Sequence, residues 1–224
     1  DYCSENYFTL RSMSPEKKFR SVCFSDMWAG AYGGTNEKGL LIAITGAPSY
    51  TRPWAPGIGM NLLVRMVLDN CSSVESAVEM LENVPHMGAF HYVIVDENLN
   101  VSRVFASPED FHVDRFHNEV VIQTNHVIVE RLKEKENPQM IPPSSPVRFE
   151  TVQKWLSNKR GNISAKTVEK FCRTPIPNSG VHEDSEYFGI KFGTIWSWYY
   201  DFASADLYVS TGNPLKNSYE VPFS

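Results

Sequence analysis

Four polar side chains at the edges of apolar segments are the residues best placed to do chemistry. Asn36 sits in Gly33-Gly34-Thr35-Asn36-Glu37-Lys38-Gly39, ahead of an apolar run. Asn125 closes Val121-Ile122-Gln123-Thr124-Asn125 and is followed by His126. Arg148 ends Ser144-Ser145-Pro146-Val147-Arg148 at a helix start, and Asp1 begins the chain. Together they supply amide N–H donors, a permanent cation and a carboxylate. The common catalytic patterns are missing: there is no G-x-S-x-G elbow, no H-E-x-x-H, no P-loop and no G-x-G-x-x-G before a helix. His112 and His117 would fall on opposite faces of an extended chain, and no histidine spacing suits a metal, so neither metal nor other cofactor is expected. Taken singly, each candidate also has an ordinary reading. Asn36 is then a turn residue, Asn125 a strand-ending turn, Arg148 a surface cation and Asp1 a solvated terminus.

These residues must be held by regular elements. Tyr7 to Arg11 and Phe19 to Phe24 read as strands, and Leu40 to Thr45 as a buried strand after a tight turn flanked by Asn36 and Gly39. Residues Gly46 to Gly59 carry three prolines with Tyr50 and Trp54, which marks a candidate lid beside a pocket. Met60, Leu63, Val64 and Val67 have helical spacing, and Ser72-Ser73-Val74-Glu75 reads as a capping box opening a second helix. Strands over Ala89 to Asp96, Asn100 to Ala106, Phe111 to Phe116 and Glu119 to Thr124 make an antiparallel meander. A long polar loop from Val127 to Pro146 leads to helices at Val147 to Leu156 and Ser164 to Cys172. An acidic loop at Gly180 to Tyr187 precedes strands at Phe192 to Tyr199 and Ala205 to Ser210. Helices grouped between antiparallel strand runs predict an α+β fold with two sheets between helix layers. No repeat or linker divides residues 1–224, so a single domain is expected.

Composition narrows the partners. A net charge of −5 argues against a nucleic-acid surface, and no apolar run reaches the length of a membrane span. Four scattered cysteines without a C-x-x-C pair read as reduced thiols, which fits a cytoplasmic protein. Tyr50, Trp54 and Met60 point to an apolar group on a small-molecule substrate, although a packed loop would look the same. Self-association into a homo-oligomer is left open.

The ordered set resembles the N-terminal-nucleophile (Ntn) hydrolase family of penicillin acyltransferases, choloylglycine (bile-salt) hydrolases and penicillin V acylases. Asp1-Tyr2 is similar to the end of that family's G-R-N-x-D-[YFW] motif, and Gly34 to Leu40 to its G-x-N-E-K-G-L turn. Asn70 to Ala77 resembles its "SSVEEA" helix start, Thr124-Asn125-His126 its T-N-[HS] motif, and Ser144 to Phe149 its S-x-x-R segment. Gly193-Thr194-Ile195-Trp196-Ser197 resembles its late G-T-x-W-S strand.

The resemblance implies a four-layer αββα sandwich and an N-terminal Cys whose α-amine is the general base. The thiol attacks a linear amide, and water or an amine resolves the acyl-enzyme. Asp1 would orient the α-amine, Arg148 would favour the thiolate, and Asn36 and Asn125 would donate to the oxyanion. The family's Cys precedes the G-R-N-x-D motif by a hairpin of roughly 15–20 residues. The nucleophile is therefore expected upstream of Asp1, with the N-terminal hairpin missing from these 224 residues. Cys3 has no free α-amine and reads as an ordinary thiol. The alternative is a binding protein of the same fold that has lost its nucleophile segment.

Overall fold

Period-two alternation of apolar residues produces a seven-stranded antiparallel sheet with strands in sequence order. Its strands are β1 (Thr9–Met13), β2 (Ser21–Ser25), β3 (Gly33–Asn36), β4 (Leu41–Gly46), β5 (Phe90–Val95), β6 (Asn100–Ala106) and β7 (Phe111–His117). Between β4 and β5 lie α1 (Met60–Asn70) and α2 (Val74–Glu82), and α3 (Glu130–Lys133) follows β7. In this computed structural model the described residues are 9–25, 29–50, 54–159, 161–187 and 190–220 without 212, 214 and 216. They belong to two compact units, Tyr7–Pro142 and one built on Pro143–Ser224.

In the first unit, residues paired across a rung share a face. Ile42 with Ile94, and Tyr92 with Val104, present one face to the helices. Leu63, Val64, Val67 and Leu68 of α1 and Val74, Ala77, Val78 and Leu81 of α2 complete that core. Burying each large apolar side chain contributes roughly 1.5–3 kcal/mol. One residue along, His91 pairs with Phe105, so both lie on the opposite face. Phe105 joins Ala47, Tyr50, Ala89, Val127 and Leu132 in a second, smaller apolar cluster.

Several expected elements differ. Residues 119–124 form no strand, because Asn118 is left-handed at φ 53° and turns the chain off the ladder after β7. The expected loop of 127–146 contains α3 and a 3-10 turn at Pro138–Met140. The α2 cap is Ser73, closed by Ser76 rather than Glu75, since the short Ser76 hydroxyl reaches back to the Ser73 N–H. Gly39, at φ 69°, closes the expected turn by donating its N–H to Asn36 O.

The second unit has α4 (Ser144–Asn158), α5 (Ala165–Cys172) and two antiparallel hairpins. The first pairs β8 (Asp184–Tyr187) with β9 (Ile190–Gly193), so part of the expected acidic loop is a strand. The second pairs β10 (Trp196–Asp201) with β11 (Asp206–Thr211). Stacking of Trp155 on Phe171, with ring centroids 4.4 Å apart, ties α4 to α5.

Candidate active site

A polar constellation of the first unit lies where β4 ends. Gly46 pairs with Phe90, and Thr45 with His91. Residues 123–127 run beside this rung and are fastened to it. Thr45 Oγ1 donates to Thr124 O at 3.0 Å, and Asn125 Nδ2 donates to Gly46 O at 3.0 Å. Gln123 Nε2 donates to Thr124 O at 2.7 Å and to His126 O at 3.2 Å. Thr124 Oγ1 also lies 3.1 Å from His126 Nδ1. Below them the Glu136 carboxylate accepts the Val127 N–H at 2.9 Å and the Ser49 hydroxyl. The Asn125 amide is thus positioned by its own bond and by its neighbours' bonds.

His91 lies under this segment, 1% exposed, its ring 5.2 Å from that of Phe105. Burial, reinforced by the charges of Arg103 and His126, pushes its pKa down to about 3. The imidazole is therefore neutral at physiological pH and unsuited to act as a general base there. Its Nε2 has no hydrogen-bond partner among the described residues.

The other expected site residues fall elsewhere. Asn36 is 5% exposed, and its amide is saturated. Nδ2 donates to Leu68 O at 2.9 Å and to Cys71 O at 2.8 Å, locking the end of α1. Oδ1 accepts the N–H groups of Lys38 and Leu40 at 3.0 and 3.2 Å. Both amide hydrogens are thereby used within the fold, which leaves neither for an oxyanion. By register Asn36 lies opposite Leu40, six residues along the chain from Gly46, roughly 20 Å away at about 3.3 Å per residue. It does not share a cleft with Asn125.

Tyr50 is a core residue, 3% exposed, with its ring 4.7 Å from Phe105 and its hydroxyl donating to Asp110. Burial, with the Asp110 carboxylate beside it, raises its pKa. Met60 is half-buried and packs on the main core. Tyr50 is thus held as a packing residue, while Met60 keeps part of its side chain exposed. Trp54 is different: it is 67% exposed, with its ring edge-on to Phe90, the partner of Gly46, at 6.5 Å. The expected lid is fastened over 55–58. Ala55 N–H donates to Met87 O, Ile58 N–H to Pro85 O, and Met87 N–H to Ile58 O. A Cβ on Gly57 would meet the His86 carbonyl carbon at 2.6 Å, so only glycine allows this approach.

In the second unit Arg148 projects from the second turn of α4. Its Nη2 donates to Ser144 Oγ at 3.4 Å, and its Nε lies 3.8 Å from Glu183 Oε2. Asp1 and Cys3 lie outside the described residues. Among the described residues no three His, Cys, Asp or Glu side chains gather as metal ligands, and no helix is long and apolar enough to cross a membrane.

A family described as acyl-coenzyme A:6-aminopenicillanic acid acyl-transferase matches residues 1–216. The chain belongs to this family. Solved structures with the same fold include penicillin V acylase from Agrobacterium tumefaciens, at TM-score 0.60 and 19% identity over 90% of this chain and 71% of that one. A variant of conjugated bile acid hydrolase from Clostridium perfringens gives 0.57 and 17%, covering 86% and 74%. The Caenorhabditis elegans ortholog of N-acylethanolamine-hydrolyzing acid amidase gives 0.51 and 12%, covering 74% and 73%. No curated protein matches by sequence. The family and these neighbours are acyltransferases and amide hydrolases, and the α+β fold of the Ntn hydrolases is the fold of this chain.

Sequence reasoning missed Thr45, Gln123 and Glu136 as supports of the segment that carries Asn125, and the buried His91 on the neighbouring strand. The signal for His91 was present, because the period of two puts it on the face opposite Tyr92. Thr45 and Glu136 could not be paired with residues 79 and 9 positions away from sequence alone.

Proposed function

We propose that this chain is part of a cysteine amidase or acyltransferase acting on linear, non-peptide C–N bonds of small molecules with an apolar acyl group. The nucleophile is an N-terminal Cys upstream of Asp1. Its α-amine takes the thiol proton as the sulfur attacks the amide carbonyl. The C–N bond then breaks, the amine leaves with that proton, and water or an acceptor amine resolves the thioester. Asn125 donates to the oxyanion, Arg148 favours the thiolate, Asp1 orients the α-amine, and Trp54 borders the acyl group. Asn36 serves by holding the end of α1. A cytoplasmic setting fits the free thiols Cys23, Cys71 and Cys172.

One observation carries the reading: family membership over residues 1–216 coincides with an Asn125 amide fastened to the end of the central strand β4. The test uses the chain together with an upstream segment that begins with Cys. Penicillin V, conjugated bile acids and simple N-acyl amides serve as substrates, and the thioester is trapped for mass spectrometry. At least one amide should turn over with the acyl group on the N-terminal Cys. Asn125→Ala should lower kcat by about 10²–10³, far more than it raises KM. An acyl group found elsewhere, or an Asn125→Ala enzyme of normal kcat, refutes the assignment.

A further inference from the structure

Arg148 does not act alone in its unit. Ser144 Oγ donates to Glu183 Oε2 at 2.9 Å, and Arg148 Nη2 donates to the same hydroxyl at 3.4 Å. Arg148 Nε lies 3.8 Å from that Oε2, an ion-pair distance beyond a direct hydrogen bond. The hydroxyl therefore bridges cation and carboxylate. Glu183 is fixed from behind: its N–H donates to Thr194 Oγ1 and its carbonyl accepts the Thr194 N–H, both at 2.9 Å. The preceding His182 is pinned in the same way. Its N–H donates to Thr174 O, and its carbonyl accepts the Ile176 N–H. The Arg148 and Glu183 side chains are 23% and 16% exposed, so solvent screens the pair only partly.

We propose that Glu183, acting through Ser144, is the positioning residue of Arg148, fixing the direction of the guanidinium and offsetting part of its charge at the reacting thiol. The inference rests on the thiol chemistry proposed above and identifies what tunes it. The charged and titratable groups next in sequence to Glu183, and Arg173 on the facing side of that loop's hydrogen bonds, have the following states among the described residues. His182 is buried, which lowers its pKa and keeps it neutral at neutral pH. Asp184 is exposed, and Arg173 pairs with Glu169 on α5. The paired carboxylate thus limits how far Arg148 can stabilise a thiolate.

The variants predict opposite signs. Glu183→Gln keeps the side-chain length and an acceptor for Ser144 but removes the charge, so the N-terminal Cys pKa should fall by about one unit. Arg148→Gln should raise it by a similar amount. Ser144→Ala leaves both charges but removes the bridge, so kcat should fall about tenfold while the thiol pKa stays in place. The thiol pKa is read from the pH dependence of iodoacetamide alkylation by mass spectrometry on the chain with its N-terminal Cys segment, alongside kcat and KM. An unmoved thiol pKa in Glu183→Gln, where Arg148→Gln raises it, overturns the role of Glu183. If Glu183→Gln does not fold, an unchanged kcat in Ser144→Ala overturns it instead. A thiol that ignores both charge changes in an active enzyme would overturn the role proposed for Arg148 itself, a separate outcome.

Discussion

Replacing Asn36 with Ala separates a structural amide from a catalytic one. The side chain makes four hydrogen bonds, two to the carbonyls of Leu68 and Cys71 and two from the N–H groups of Lys38 and Leu40, all buried except the half-buried one from Lys38. Each is worth about 1 kcal/mol net, and removal leaves buried backbone groups without a partner, so the loss is about 4 kcal/mol. For a chain of this size roughly 2–4 °C of melting temperature accompanies each kcal/mol, which gives a fall of about 8–16 °C. Asn36→Asp should also destabilise strongly, because a carboxylate oxygen would face the two carbonyls that now accept N–H. Melting is followed by circular dichroism, with activity per folded molecule measured in parallel. A melting temperature within a degree of the parent, with kcat down a hundredfold, would refute the structural assignment and return Asn36 to the oxyanion.

His91 should make stability fall on mild acidification. Its folded pKa, about 3, lies below the unfolded value near 6.5. The unfolded chain therefore binds the extra proton, and stability present above pH 6.5 is lost by up to ~1.4 kcal/mol per unit as pH falls toward 3. Urea melts at pH 7, 6 and 5 should show a flatter slope in His91→Phe, and an unchanged slope refutes the buried neutral ring. Tyr50→Phe keeps the stack on Phe105 but loses the bond to Asp110, so it should cost roughly 1.5–3 kcal/mol and leave KM alone. Trp54→Ala should do the reverse, raising KM severalfold at constant melting temperature, and a stability loss without a KM change would make Trp54 a packing residue. Burial raises the Cys23 pKa and pushes that of Cys71 up to about 11, so neither should react with iodoacetamide at pH 7.5 until the chain unfolds. Rapid native labelling of either would contradict their placement.

Sequence patterns determined what depends on short-range order. The strands of the meander up to β7, the helices α1 and α2 with their apolar stripes, and the Asn36–Gly39 turn follow from periods of 2 and 3.6 and from the conformational freedom of glycine. The motif order also carried the family. Tertiary structure decided what each polar residue does, because hydrogen-bond partners come from distant parts of the chain. Asn36 and Asn125 look alike in sequence as asparagines beside apolar runs. One is consumed by the carbonyls at the end of α1 and the other is fastened to Gly46, at opposite ends of β4. Tyr50 and Trp54 lie four residues apart in one proline-rich loop, yet packing buries the first on Phe105 and leaves the second exposed. The break after β7 was equally hidden, since a left-handed Asn118 redirects a segment whose residues favour a strand. Composition and periodicity describe a residue's own preferences, whereas saturation of a buried amide depends on which backbone groups the fold brings within about 3 Å of it.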